Sequence, residues 1–592
     1  DGTLDVRFTS PNFQPLYNPL PENISLAVGS SVNLAAVAST SSNMRLLFDG
    51  SPIATQTGVT TISATQSSLT AGSHTVTAEA VSGITKTSSF SFFIPGANTI
   101  QALPAGVKQG INYETDQTAV TLVLYAPGKT RVSVIGDLPG SNWGEHLSYQ
   151  MKQTPDNNYF WLRITGLTPG TEYSFQYLVD GNLRLGEAYA EKILDPYNDQ
   201  FISATTYPGL KAYPAGLTSG IVSILQTAAP SYNWQTTTFS RPDKRNLMVY
   251  ELLLRDFIAR HDWTGMTDTL NYLKKLGINT IELMPVNEFE GNNSWGYNPD
   301  YYLAPDKYYG PKNDLKRFVD MAHSKGIAVV MDIALNHSFG LSPMVQMYWD
   351  AANNRPAANN PWFNPVQKHA FNVGYDMNHA SAATNYFFSR VVEHWLTEYK
   401  MDGFRFDLSK GFTQTQTCDG NGANCDVNAW SVYDASRIAI WKKYYDTLQL
   451  KSAGSYAILE HFADNAEEIE LSNYGMMLWG NVHYNFKEAA LGFIGNSNFD
   501  NALHINRGWS NPYLVSYMES HDEERQMYDI LLYGNQSNPG YDPRNFSTAL
   551  SRVGMNAAFL FTMPGPKMLW QFGELVYEYS INYCQYGSIN NN

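Results

Sequence analysis

Four short runs place acids, imidazoles and a guanidinium at the points where apolar segments stop. They read Asp332-Ile-Ala-Leu-Asn336-His337, Arg405-Phe-Asp407-Leu-Ser-Lys410, Glu460-His461 and His521-Asp522-Glu523. Such a collection suits the breaking of a glycosidic bond. One carboxylic acid protonates the leaving oxygen while a second carboxylate attacks, or stabilises, an oxocarbenium-like carbon. Residues two apart on a strand point the same way, so Arg405 can hold Asp407 ionised and aimed, which makes Asp407 the candidate nucleophile. Glu460 follows the apolar run Tyr-Ala-Ile-Leu and lies near other negative charges. Desolvation and like charge both raise a carboxyl pKa toward that of a working acid, so Glu460 is the candidate acid/base.

These runs need a scaffold that brings distant segments to one face. From about Leu247 to Phe572 strand-like and helix-like patterns alternate: NLMVYELLL, then MTDTLNYLKKLG, NTIELMPV, NDLKRFVDMAHSKG and IAVVMDIALNH. Further apolar runs follow at DGFRFDL, YAILEH, YGMMLWGN, YLVSYMESHD and PKMLWQFG. Eight strands alternating with helices predict a (β/α)8 TIM barrel over residues 240–592, with a long loop after the third strand at about 338–385. A doubly wound open sheet is the alternative, but it would open on a glycine-rich phosphate turn, and none follows the first strand here. In a barrel the polar residues at the carboxyl ends of the strands form the site.

Ahead of the barrel the chain alternates with period two and is broken by Gly, Asn and Ser turns, which predicts two immunoglobulin-like β-sandwiches. The first covers 1–97 (SVNLAAVAST, HTVTAEAVSG, SSFSFFI) and the second 104–208 (TAVTLVLYAP, TRVSVIGDL, YFWLRITGL, EYSFQYLVDG). The 592 residues thus divide into three domains. With 39 Lys+Arg against 54 Asp+Glu the formal charge is -15, which repels phosphate backbones and anionic lipid. Nucleic acid is therefore excluded as a partner, and so is membrane insertion, since there is no apolar run of about 18 residues. A neutral ligand and a monomer are expected. Cys418 and Cys425 bracket a polar loop that a disulfide could close, leaving Cys584 unpaired. The disulfide and the absence of a leader at Asp1 suggest a trimmed, secreted or cell-surface product.

DIALNH, GFRFDLSKG, the ILEH strand end and MESHDEE resemble the four short signature regions of the α-amylase superfamily, glycoside hydrolase family 13. Several motifs in order on successive strands make this resemblance specific, whereas the His-Asp pair alone would be weak. It covers roughly Asn246 onward and implies a double-displacement mechanism that retains the α-anomer, with an α-glucan polysaccharide or oligosaccharide as partner. It also implies Asp522 as a third catalytic carboxylate and Arg405, His337 and His521 as substrate contacts. Tyr297 would stack under the sugar with Trp295 beside it, Lys410 would lie on the leaving-group side, and Asp332 would brace the loops. No cofactor is required for the chemistry.

The pattern departs from the family in three places. A structural calcium would be bound by Asn336, but the histidine that completes such a site is replaced by Gly411, while Asp419, Asn421, Asn424 and Asp426 offer oxygen ligands of the kind calcium takes, with an Asn/Gly/Asp turn as the simpler reading. GYDMNH, with Asp376 and Asn378, resembles a degenerate extra signature. After the eighth strand there is scarcely room for a helix and none for the family's closing β-sandwich, so the C-terminal domain is expected to be absent or truncated. Specificity signals conflict. WGYNPDYYLAPD resembles debranching enzymes, SHDE branching enzymes and DIALNH amylases, and the second sandwich resembles the starch-binding type, with Trp143, Tyr159 and Trp161 either a glycan platform or packed against the barrel. Internal α-1,4 hydrolysis is the first expectation, with α-1,6 debranching, branching transfer and a silent glycan-binding protein as alternatives.

Overall fold

The computed structural model describes residues 3–8 and 26–583, which divide into two compact units. One contains residues 1–196 and 211–230, the other 197–210 and 231–592. Cys584 lies outside the described residues.

The first unit is all-β. Strands Val32–Phe48 and Ser51–Gln66 form a long ribbon with bulges at its middle, and its two halves take different neighbours. Leu4–Phe8 pairs with the first half and Gly72–Ser82 with the second, so one connected sheet folds over its own core. Phe8 meets Phe90 and Phe92 across that core, with ring centroids 4.7 and 5.1 Å apart. The second region is a sandwich of a four-stranded and a five-stranded sheet. It extends past the expected limit at 208: Val222–Gln226 pairs with Glu172–Phe175 in the five-stranded sheet, while 197–210 cluster with the barrel unit. A five-residue strand after a long irregular stretch carries too little periodicity to be assigned from sequence.

In the second unit eight parallel strands close a barrel in chain order. They are β1 (Met248–Leu252), β2 (Thr280–Leu283), β3 (Ala328–Ile333), β4 (Gly403–Phe406), β5 (Tyr456–Leu459), β6 (Met477–Asn481), β7 (Leu514–Tyr517) and β8 (Lys567–Trp570). The interior is packed by Val249, Val330, Ile458, Trp479, Val515 and Met568 among others. Because side chains alternate, the residues two positions further along these strands also face inward, and there the row turns from apolar to charged: Glu251, Asp332 and Glu460. The barrel's register therefore sets the site. Helices Trp263–Lys275 and Ala435–Lys451 are N-capped by Asp262 and Asp434, whose carboxylates accept from backbone N–H groups of the first turn. After β8 the described chain makes only a short turn at Gly573–Leu575. Among the described residues no helix is long and apolar enough to cross a membrane.

The opposite end of the barrel is tied by Asp402, just ahead of β4. It accepts from the Val329 N–H at 2.8 Å and pairs with His323 at 2.8 Å and Arg241 at 3.0 Å, with almost no exposure. Replacing one member of a buried pair leaves the others uncompensated. Asp402→Ala is expected to destabilise the barrel by about 3–5 kcal/mol, read as a lower urea midpoint for its transition.

Candidate active site

Asp332 and Arg405 are register partners on β3 and β4, so their side chains leave adjacent backbone positions toward the same interior. Arg405 has no exposed surface. One terminal nitrogen donates to both Asp332 oxygens at 3.0 and 2.9 Å and to Asp407 Oδ1 at 3.0 Å, and the other lies 3.0 Å from Glu460 Oε2. Its face rests on the Trp479 ring, 4.1 Å from the centroid. One guanidinium thus gathers the acids of three successive strands.

Asp407 follows β4 directly, and its N–H bonds the Ile333 carbonyl at 3.1 Å. The chain then turns left-handed at Leu408, with φ 69°. That turn aims the Leu408 N–H at Glu460 Oε2, 2.9 Å away. A non-glycine residue held there is strained, and such strain is found where a site demands it. Burial, with Asp407 and Asp522 adding negative charge, pushes the Glu460 carboxyl up to about 8 against the pull of Arg405. Asp332 is raised to about 6 by burial, again opposed by Arg405, and takes a 2.6 Å bond from the Tyr297 hydroxyl. Glu460 is accordingly placed to hold its proton at neutral pH.

The remaining expected residues fall around this centre. Tyr297 stacks on His521, with centroids 5.2 Å apart and planes 21° apart, and Trp295 meets the same imidazole edge-on at 5.8 Å. His521 Nε2 lies 3.4 Å from Asp522, whose carboxylate is half exposed. His337 is fully buried and hydrogen-bonded through Nε2 to the Tyr297 carbonyl at 2.8 Å. Burial lowers its pKa, so it is a neutral ring. Lys410 donates to the Phe462 carbonyl at 3.0 Å and Ser431 Oγ at 3.1 Å and lies over Trp430, with burial bringing its amine down to about 8.

Neither atom of the buried Asn336 amide has a hydrogen-bond partner, and among the described residues no group of three or more His, Cys, Asp or Glu that could hold a metal occurs. The space a side chain at position 411 would need is filled: a Cβ on Gly411 would stand 2.7 and 2.8 Å from two ring atoms of His369, which stacks on Trp430. Asp419 and Asp426 accept backbone N–H groups of their own loop, and Cys418 and Cys425 are disulfide-bonded. Asp376 is buried, accepting from Asn364, while the Asn378 carboxamide accepts from the Ala380 N–H. Trp161 is buried, its indole N–H on the Gln101 carbonyl and Lys152 over its ring, and Tyr159 packs on Tyr125. Trp161 therefore presents no open platform, Tyr159 is half-buried, and Trp143 sits in a turn with φ 62°.

Sequence reading missed Glu251 and Glu282, which lie side by side in register on β1 and β2 inside the barrel. The signal was available, since each is the lone charge within an apolar strand.

A family profile described as "Alpha amylase, catalytic domain" matches residues 235–374. Malto-oligosyltrehalose trehalohydrolase from Saccharolobus solfataricus is 27% identical over 296 residues, covering 50% of this chain and 45% of that protein. Isoamylase SU1 from Zea mays is 26% identical, covering 53% and 42%. The branching enzyme GlgB of Bacillus subtilis is 23% identical, covering 76% and 68%. The chain spans less than half the length of the first two. Among solved structures, type I pullulanase from Bacillus subtilis shares the fold with a TM-score of 0.59 at 18% identity, over 94% of this chain and 79% of that one.

With His369 filling the space beside Gly411, Gly411→Ala is expected to destabilise the protein by about 1–3 kcal/mol, the range for forcing volume into a packed interior. Thermal unfolding against the unmodified chain measures it.

Proposed function

The chain belongs to the α-amylase superfamily, glycoside hydrolase family 13, and from that premise we propose that it is a retaining glycosidase of α-glucans with Asp407 as nucleophile and Glu460 as acid/base. The observation that carries this reading is the single buried guanidinium touching both carboxylates, with burial and neighbouring negative charge pushing Glu460 up to about 8. In the first step Asp407 attacks the anomeric carbon as Glu460 gives its proton to the departing sugar oxygen. In the second, Glu460 as carboxylate takes a proton from water, which displaces Asp407 and restores the acid. In this reading Asp522, His521, Tyr297 and Trp295 hold the ring of the cleaved sugar, and Lys410 serves the leaving-group side. The enclosed base of the site keeps these charges out of bulk water and strengthens each.

For the bond, internal α-1,4 linkages of starch-like glucans are the first reading, supported by the DIALNH run. Hydrolysis at α-1,6 branch points is the second, favoured by the relatives named isoamylase and pullulanase. The Cys418–Cys425 disulfide supports an exported protein, and a monomer completes the proposal.

Incubation with amylose, pullulan and amylopectin separates the readings. Shortening of amylose supports the first, release of linear chains from pullulan or amylopectin the second, and a rising α-1,6 fraction without new reducing ends would replace both with branching transfer. Asp407→Asn should lower kcat by at least about 10³-fold while starch binding persists. Absence of turnover in the unmodified protein would leave a glycan-binding protein instead. Glu460 must enter the first step protonated and its proton is lost above its pKa, so kcat is expected to fall as pH rises through about 8, a limb that a pH–rate profile locates.

A further inference from the structure

Glu251 and Glu282 have no part in the steps above, yet they lie beneath the site. They are direct neighbours on parallel strands and both are fully buried. Neither oxygen of Glu282 has a hydrogen-bond partner. An ionised carboxylate in that position would be prohibitively costly, and burial together with Glu251 and Asp332 raises the Glu282 pKa well above its ordinary value. Glu282 is therefore the neutral member.

Glu251 is placed differently. Its Oε1 lies 2.6 Å from His521 Nδ1 and its Oε2 accepts the His521 backbone N–H at 3.2 Å, so one carboxylate grips the ring and the main chain of the same residue. The far ring nitrogen, Nε2, then faces Asp522 at 3.4 Å. Four aromatic rings fix the plane of the imidazole: Tyr297 stacked on it, with Trp295, Trp479 and Trp570 at 5.8, 6.1 and 6.2 Å. Glu251 is itself anchored, since its backbone carbonyl accepts the Gln571 N–H at 3.0 Å.

We propose that Glu251 is a positioning residue, a clamp from β1 that orients His521 so that its Nε2–H is presented to Asp522 and to the sugar held between them. The inference rests on the glycosidase reading for its effect on rate, but the clamp itself stands on geometry. Burial works against a charged imidazole, yet the Glu251 carboxylate and then Asp522 outweigh it and hold His521 up at about 10, with Arg405 acting in the opposite sense. Glu282, Asp332 and Glu460 also face this ring electrostatically, the first as a neutral acid. His521 is thus a cationic donor at any pH at which Glu460 can act. Without Glu251 the same buried ring would lose its proton in the neutral range and the orientation of Nε2–H would no longer be fixed.

The test is Glu251→Gln, which keeps the size of the side chain but removes its charge and leaves one acceptor oxygen where the carboxylate has two. Expected are a fall in kcat of about 10- to 100-fold, the range for removing a group that orients a functional imidazole, with KM changed by less than about threefold. The alkaline limb of kcat should move to lower pH, and the melting temperature should change little. In the unmodified protein with ¹⁵N-labelled histidine, the resonance missing from His521→Gln should stay in its imidazolium form to above pH 9, and in Glu251→Gln it should titrate below 8. An unmodified His521 that titrates near the ordinary histidine value overturns the proposal without any change at Glu251. So does a Glu251→Gln protein whose limb and His521 titration match the parent, whatever its melting temperature. An unmodified protein inactive on every α-glucan would instead overturn the glycosidase reading, leaving the ¹⁵N titration to decide the clamp.

Discussion

A guanidinium cannot give up its proton, so placing one in a barrel with no route to solvent obliges the fold to surround it with anions. Arg405 is such a charge, and β3, β4 and β5 each end by supplying one carboxylate to it. No single element holds the arrangement. It exists only once three strands are in register and the barrel is closed, so the assembly of the site and the completion of the fold are one event. The Trp479 ring beneath the guanidinium adds contact on the face that no carboxylate can reach.

Three acids around one cation cannot be equally compensated, and that inequality separates their roles. Asp407 and Asp332 share one terminal nitrogen of Arg405, and Glu460 approaches the other while also carrying the field of Asp407 and Asp522. Burial and this excess of negative charge make Glu460 the proton holder without any special chemistry of its own. The same logic runs one layer outward. Glu251 and Glu282 start as neighbours in register, and the His521 imidazole lies against Glu251.

Much of this was legible in the chain because barrel strands announce themselves twice, as apolar runs and as the polar residues that stop them. All eight strands could be read, as could the gathering of Arg405, Asp407, Glu460, His521 and Asp522, since each lies at a strand end. Glu251 and Glu282 were passed over because they sit before the stop rather than at it, in MVYEL and TIEL, where one polar residue inside a strand is ordinarily discounted. The strand at Val222–Gln226 was lost for want of length. That His369 occupies the space beside Gly411 could not be read at all. It depends on how the long third loop folds back over a residue 42 positions later, and neither side carries a local pattern for that contact.

The exposure of the three candidate catalytic carboxylates shows where inference from the barrel stops. Glu460 and Asp407 keep 12% and 17% of their side-chain surface, Asp522 53%. The first two are fixed by strands and a buried cation, so their geometry is set by the same forces that set the fold. Asp522 stands one residue beyond His521, at the edge of that network and open to solvent. On the glycosidase reading, cleavage chemistry therefore belongs to the inner ring and can be argued from strand register, and discrimination between one glucosidic linkage and another acts through the exposed groups beyond Asp522 and Lys410, in loops whose shape no strand dictates.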